Sequence, residues 1–170
     1  MKSKMPKLIS ISGSVHSGKT TVSRMIAAKM PNASYLDGDL LSSLIKCKYP
    51  KTAAIDDMLP EIHENIIQII KASLQNGVDC IVDYVFSDDT RQQIIDSLAG
   101  VKFRQKWYLL KPDIAKVLQG SKTRPRLSDW EIDRIHYHYN GEVLNTKMAK
   151  MIDSTNQTPQ QTVTEIMEDL

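Results

Sequence analysis

The chain has 170 residues, with 22 lysines and arginines against 20 aspartates and glutamates and a formal net charge of +2. This length suits a single α/β domain, residues 1–170, better than two domains. Because the charge is balanced and the sequence contains no run of basic residues, a nucleic-acid partner is disfavoured.

The sequence carries no pattern typical of secreted or membrane proteins. Cys47 and Cys80 lack the spacing of a metal site or a CxxC pair, which indicates a reducing compartment. Every apolar run is too short for the core of a signal peptide or for a bilayer span. We therefore expect a cytoplasmic protein without a membrane partner, either a monomer or a homodimer.

Strand and helix patterns alternate along the chain. In chain order they are a strand at 7–12, a helix at 19–30, a strand at 34–36, a helix at 40–45, a helix from Pro60 to Gly77, a strand at 79–84, a helix at 89–98 that Asp88 caps, a strand at 103–110, helices beginning near Pro112 and Ser128, a strand at 150–153 and a helix that Thr158 caps. This alternation predicts a mostly parallel sheet in a three-layer α/β fold, whose ligands bind at the carboxyl ends of the strands.

The glycine loop GSVHSGKT, residues 13–20, has the pattern GxxxxGK[ST] between a predicted strand and a predicted helix. Its glycines let backbone N–H groups turn inward around phosphate oxygens, and the helix N-terminus adds a favourable dipole. We expect Lys19 to reach the outer phosphates and the Thr20 hydroxyl to be a ligand for Mg²⁺. A chance match in a turn is the alternative. The predicted binding residues for a nucleoside triphosphate are Gly13, Ser14, Val15, His16, Ser17, Gly18, Lys19, Thr20 and Thr21.

Three acids follow predicted strands. Asp37 and Asp39 lie where the second strand becomes a loop, beside the end of the first strand, so we expect both to contact the substrate. Asp39 is the candidate base that orients an acceptor hydroxyl and takes its proton, and Asp37 would hold Mg²⁺ through water. A turn in which Asp39 caps the next helix is the alternative. Asp83 ends the apolar run CIVD and is a further candidate Mg²⁺ ligand, although an acid there can also cap or pair.

Three arginines are candidate contacts to phosphate or to an anionic acceptor. Arg124 and Arg126 flank a proline in a predicted lid at about residues 120–136, where closure would bring guanidinium groups onto the transferring phosphate. A solvated basic turn is the alternative. Arg91, on the helix after the third strand, is a candidate contact to the acceptor, although its position favours a solvated helix face.

The aromatic and histidine residues favour structural roles. His63 does not form an HExxH motif and is expected at the surface or in the core. The run 136–139 predicts a helix face that packs or lines a cleft. Trp130 is expected to pack, with substrate stacking as the alternative. His16 is expected to serve mainly the backbone geometry of the loop.

Four segments, in this order, resemble the P-loop small-molecule kinases, and most of all the chloramphenicol phosphotransferase-like group. They are LISISGSVHSGKTTVSRMIA, YLDGD, GVDCIVDYVF and IDST. Their order along residues 8–155 extends the likeness over nearly the whole chain, with the P-loop as the one specific motif. The resemblance implies a nucleoside-monophosphate-kinase-like fold with five parallel strands, helices on both faces and a small helical lid. It also implies ATP and Mg²⁺, phosphorylation of a hydroxyl on a small molecule, and Asp39 as the base.

The resemblance leaves the acceptor open. Shikimate, gluconate and adenylylsulfate kinases are similar in the same segments. Such kinases usually carry an arginine on the helix before the lid, whereas this chain has Gln119, Ser121 and Lys122 there, so the role would pass to Arg124 and Arg126.

Three functional hypotheses follow. The first is an ATP-dependent kinase with a small-molecule acceptor, and its nearest enzymatic alternative is a nucleoside or nucleoside monophosphate kinase. The second is a regulatory GTPase, which the sequence disfavours because it has neither NKxD nor DxxG after the loop. The third is a nucleotide-binding module without catalytic activity, which stays open.

Overall fold

The computed structural model describes residues 5–50, 54–119 and 127–170. Five parallel strands form one sheet in the order β2-β3-β1-β4-β5. The strands are β1 (Lys7–Gly13), β2 (Ala33–Asp37), β3 (Asp79–Asp83), β4 (Arg104–Leu110) and β5 (Lys150–Ile152). The helices are α1 (Lys19–Lys29), α2 (Gly38–Lys46), α3 (Ile55–Gln75), α4 (Asp88–Ser97), α5 (Ile114–Gln119), α6 (Asp129–Asn140) and α7 (Pro159–Asp169), with a 3-10 helix at Glu142–Leu144. The predicted five-stranded parallel α/β fold is confirmed.

Strand β1 lies at the centre of the sheet, and all seven of its residues are buried. Its apolar run fits this place because a central parallel strand is covered by helices on both faces. In register, Ile11 of β1 pairs with Asp83 of β3, and Asp83 pairs with Asp37 of β2. The carboxyl ends of these three strands therefore meet at one edge, where the glycine loop leaves β1.

Two apolar cores cover the two faces of the sheet. On one face, α3 and α4 contribute Ile62, Ile66 and Ile94, among others, against β1, β3 and β4. On the other face, α1 and α7 pack through Ile26 and Ile166. This is the predicted three-layer arrangement. No helix within the three described ranges has both the length and the apolar character that a membrane crossing requires.

Two helix starts differ from the sequence expectation. Helix α3 begins at Ile55, so Pro60 lies inside it rather than in its first turn. The earlier start follows from Asp57, whose carboxylate accepts a hydrogen bond from the backbone N–H of Ala54 at 3.2 Å. Helix α4 is capped by Ser87 rather than Asp88, because the Ser87 hydroxyl accepts the N–H of Thr90 at 3.2 Å.

Candidate active site

The glycine loop makes a close turn between β1 and α1. A Cβ at Gly13 would meet Ser17 Oγ at 2.5 Å and the carbonyl oxygen of Leu110 at 2.8 Å, so no side chain fits there. Gly18 has φ 91°, and it precedes α1 without a side-chain cap in the described structure. His16 has φ 61°, a left-handed conformation that costs a residue with a Cβ about 1 kcal/mol or more. The first backbone amides of α1 are thus left available for an anion.

Lys19 projects from the start of α1 toward the end of β2. Its side chain is 8% exposed, and its Nζ lies 3.7 Å from Asp39 Oδ2. The Asp39 side chain itself is 65% exposed. A buried ammonium and an accessible carboxylate therefore face each other across the edge of the sheet.

Asp37 has a different environment from Asp39. Its Oδ1 accepts the N–H of Leu40 at 3.1 Å and so caps α2, and its Oδ2 accepts a hydrogen bond from Arg24 Nη2 at 3.2 Å. The sequence analysis gave as an alternative that Asp39 caps the helix after the second strand. In the structure Asp37 caps this helix, α2. Because both oxygens of Asp37 are engaged, the Asp39 carboxylate is the one that stays open to an acceptor.

Asp83 offers a buried oxygen beside Thr20. The residue is 1% exposed, Tyr35 donates its hydroxyl to Oδ2 at 3.2 Å, and Oδ1 is buried without a partner among the described residues. Burial raises the pKa of Asp83, while Thr20 and the Lys19 ammonium act in the opposite direction. A buried carboxylate oxygen without a partner, next to a threonine hydroxyl, suits Mg²⁺, which takes a few protein oxygens and fills its other positions with phosphate and water.

In the described ranges, no group of three or more histidines, cysteines, aspartates or glutamates forms a metal cluster. The fit to Mg²⁺ thus depends on Thr20 and Asp83, and phosphate oxygens would supply further ligands.

Helix α6, whose first part falls within the predicted lid, is attached to the glycine loop at two points. Ser14 Oγ and His138 Nδ1 are hydrogen bonded at 3.2 Å, and His16 Nε2 and Glu131 Oε1 lie 2.7 Å apart. His138 is 3% exposed, and burial, together with the charges of Arg134 and Lys19, lowers its pKa to about 4. His138 is therefore neutral near pH 7, and its bond to the loop is a neutral one.

Glu131 also holds the first turn of α6. Its Oε2 accepts the backbone N–H of Ser128 at 2.8 Å, as part of a capping box. The hydrogen bonds from Ser128 and His16 lower the pKa of Glu131 to about 2. His16 therefore has a side-chain contact in addition to the backbone role that the sequence analysis expected.

Arg134 is a candidate site residue that the sequence analysis missed. Its charge acts on the buried His138 and on Tyr84, the residue after β3. Burial raises the pKa of Tyr84, the Asp39 charge raises it further, and the Arg134 charge lowers it. The Tyr84 ring packs against Gly38, the residue before Asp39, since a Cβ at Gly38 would meet Tyr84 Cγ at 2.6 Å. The spacing Glu131, Arg134, His138 places these residues along one helix face, and this pattern could have identified Arg134.

The other predicted arginines lie elsewhere. Arg124 and Arg126 fall outside the described residues. Arg91 is fully buried, and its Nη1 donates to Asp88 Oδ1 at 2.7 Å and to Thr146 Oγ1 at 3.1 Å. The expectation of a solvated helix face for Arg91 is therefore wrong, because the loop around Thr146 covers it.

Two ring-bearing residues complete the description of the site. Trp130 is 68% exposed, so the expectation that it packs is wrong. The His63 ring is half-buried and lies 6.0 Å from the Tyr84 ring, edge to face. Burial lowers the pKa of His63. His63 thus packs beside the site and joins no described metal cluster.

Nearly the whole chain is similar to a known protein family and to several solved structures. The model of the family described as Zeta toxin matches residues 1–163. The tunicamycin resistance protein of Deinococcus radiodurans is 17% identical, with a TM-score of 0.66 over 96% of this chain and 95% of that one. A gluconokinase from Sinorhizobium meliloti 1021 is 16% identical, with a TM-score of 0.70 over 97% and 91%. Thymidylate kinase from Candida albicans is 18% identical, with a TM-score of 0.65 over 97% and 91%. A comparison with curated proteins found no match. At identities this low, the similarity to these solved structures shows a shared fold and no more.

Proposed function

The chain belongs to the Zeta toxin family of P-loop kinases, and from this premise we propose that it transfers the γ-phosphate of ATP to a hydroxyl of a small molecule. The observation that carries the proposal is the approach of Lys19 Nζ to Asp39 Oδ2, 3.7 Å, at the mouth of the glycine loop. Phosphoryl transfer needs a cation on the outer phosphates and a group that orients the acceptor in line. These two side chains supply both.

The glycine loop would bind the phosphates through its backbone. In this proposal the amides of residues 13–21 surround the β-phosphate, and Lys19 contacts the β- and γ-phosphates. Thr20 and Asp83 would hold Mg²⁺, the unpartnered Oδ1 of Asp83 directly or through water. When bound, the metal neutralises charge that develops on the phosphate oxygens.

Asp39 would receive the acceptor. Its exposed carboxylate accepts a hydrogen bond from the acceptor hydroxyl, directs an oxygen lone pair at the γ-phosphorus and takes the proton as the new P–O bond forms. We assign Asp37 to positioning, because its cap on α2 and its bond to Arg24 hold the turn from which Asp39 projects.

Arginines would stabilise the transferring phosphate. Arg124 and Arg126 keep this role by their position in the predicted lid. Arg134 lies on α6, and the contacts of α6 to Ser14 and His16 hold this helix beside the loop. Arg91 remains a predicted contact to an anionic acceptor, although its bonds to Asp88 and Thr146 support a role in holding the adjoining loop.

The test is a transfer assay with γ-labelled ATP, Mg²⁺ and a metabolite extract, in which mass spectrometry identifies the labelled product. We expect one phosphorylated small molecule with wild-type protein and none with Lys19→Ala. For Asp39→Asn, the matched control is Asp56→Asn, which changes an exposed acid on α3. If ATP binds but the wild-type protein labels no product, the chain is a nucleotide-binding module and the kinase proposal fails.

A further inference from the structure

Helix α6 carries an exposed row of rings beside its docked face. Trp130 and Tyr137 are 68% and 62% exposed. Arg134 lies between them in sequence, and its guanidinium carbon is 5.1 Å from the centre of the Tyr137 ring. Because residues separated by three, four or seven positions share one side of a helix, these three side chains form a continuous surface. We call Trp130, Arg134 and Tyr137 the aromatic stripe.

The contacts of α6 show which way the aromatic stripe faces. One edge of α6 faces the β4 side, since Tyr139 donates its hydroxyl to the carbonyl oxygen of Pro112, just after β4. The last turn of the helix is docked on the glycine loop through His138. At about 3.6 residues per turn, Trp130 and Tyr137 lie on the side of the helix opposite to Tyr139, with Arg134 next to them. Since β3 and β4 flank β1 on opposite sides, the aromatic stripe faces the side of β3 and β2, which is the side of Asp39.

The aromatic stripe is also fixed in place without using its rings. The bonds from Ser14 to His138 and from His16 to Glu131 hold α6, and neither bond involves Trp130 or Tyr137. Two large rings exposed on an anchored helix carry little side-chain entropy cost when they bind a flat partner. A planar ring can stack on indole, phenol and guanidinium, whereas an open-chain polyol has no flat face to stack.

We propose that the aromatic stripe binds a planar ring of the acceptor, so that the substrate is a ring-bearing alcohol whose hydroxyl reaches Asp39. The inference rests on the proposed kinase function. Tyr84 and the half-buried His63, whose rings lie 6.0 Å apart, would form the apolar floor between the stripe and Asp39. A nucleobase and an aryl group share this chemistry, and the experiment separates them.

Tryptophan fluorescence tests the binding step without activity. The chain has two tryptophans, of which Trp107 is 7% exposed and Trp130 is 68% exposed. In the presence of a non-hydrolysable ATP analogue, we titrate uridine, adenosine and phenylethane-1,2-diol as ring-bearing probes and gluconate and glycerol as ring-free probes. We expect a saturable quench with at least one ring-bearing probe that persists in Trp107→Phe and is lost in Trp130→Phe. A quench by the nucleosides alone identifies a base, and a quench by the diol alone identifies an aryl group. Saturable binding of only ring-free probes overturns the inference, as does a quench that survives Trp130→Phe.

Transfer kinetics provide the second readout. The acceptor is the unphosphorylated form of the labelled product found in the metabolite extract. Trp130→Ala and Tyr137→Ala should each raise the KM for this acceptor about tenfold, as expected when a stacking contact is lost. The KM for ATP should stay within twofold. Met151→Ala, which removes a side chain 51% exposed on β5, is the matched control and should change neither constant.

A labelled product without a ring, or an acceptor KM within twofold of wild type in both stripe variants, overturns the inference and leaves the kinase proposal standing. The absence of any labelled product, together with ATP binding that is intact, overturns the kinase proposal itself. The two failures are therefore distinguishable.

Discussion

The glycine loop and helix α6 border the same site, but they are held there by different kinds of contact. The loop is shaped by its own backbone, with Gly13 against Leu110 and left-handed conformations at His16 and Gly18. Helix α6 is held by two side chains, His138 and Glu131, whose partners Ser14 and His16 lie more than a hundred residues earlier in the chain. A substitution in the loop should therefore affect catalysis directly, whereas a substitution in α6 should act through the position of the helix.

The largest effect is expected for Lys19→Ala, in the loop. It removes the buried ammonium that would contact the transferring phosphate, and a lost preorganised charge at a reaction centre costs about a hundredfold to a thousandfold in rate. Initial-rate measurements of γ-phosphate transfer check it, with circular dichroism to show that the fold is retained. A folded variant with more than a tenth of wild-type kcat would show that Lys19 does not contact the transferring phosphate.

Asp39→Asn should lower kcat about a hundredfold or more with ATP affinity unchanged, because it removes a base and leaves the loop intact.

Asp37→Asn tests the contrast between the two acids. It weakens the cap of α2 and the bond to Arg24, so its main effect should be on stability, about 1 kcal/mol. Initial rates of γ-phosphate transfer measure kcat, calorimetry measures ATP affinity, and denaturant unfolding measures stability. If Asp37→Asn lost more kcat than Asp39→Asn, the roles of the two acids would be exchanged.

For α6, the sharpest prediction concerns pH. The pKa of His138 is lowered to about 4 in the folded chain from an ordinary value of 6.5, so between these values the unfolded chain binds the proton more strongly. The free energy of unfolding should therefore fall as the pH decreases from about 6.5 to 4, by up to about 3 kcal/mol, and His138 contributes no pH dependence above that window. Urea unfolding across the window measures the slope.

His138→Gln keeps a hydrogen-bonding group for Ser14 but does not titrate, so it should remove most of this slope while other groups keep theirs. His136→Gln, at an exposed histidine on the same helix, is the matched control. An unchanged slope in His138→Gln would assign the pH dependence to other residues.

The two regions also differ in how far the sequence could predict them. The alternation of strands and helices follows from local patterns, and these patterns predicted the five strands correctly. The same patterns placed Asp39 and Asp83 at strand ends beside the loop, and the roles of the two acids stay predictions. The division of roles between Asp37 and Asp39 depends on which carboxylate caps α2, and two acids one residue apart have the same capping propensity.

The contacts of α6 were not predictable because they depend on which helix faces reach the loop. Neither Ser14 nor Glu131 carries a sequence signal for its distant partner. Trp130 was expected to pack because large aromatic residues usually do, and Arg91 was expected at the surface because arginine is rarely buried. Both expectations fail where tertiary contacts decide: the side of α6 that bears Trp130 is left open, and Asp88 with Thr146 holds Arg91 in the interior.

The smallest expected effect concerns His16, which links the loop to α6. Its left-handed backbone conformation destabilises the folded protein, whereas its side-chain bond to Glu131 stabilises it. In wild type, His16→Gly should change the free energy of unfolding by less than about 0.5 kcal/mol, because relief at φ 61° offsets the lost bond and the greater entropy of the unfolded glycine chain. In a Glu131→Gln background, where that bond is already weakened, the same change should stabilise the protein by about 0.5 kcal/mol. A double-mutant cycle in urea measures the difference, which is the coupling between loop and helix. Equal effects in both backgrounds would mean that the contact between His16 and Glu131 contributes nothing to holding α6, and that Ser14 and His138 hold the helix without it.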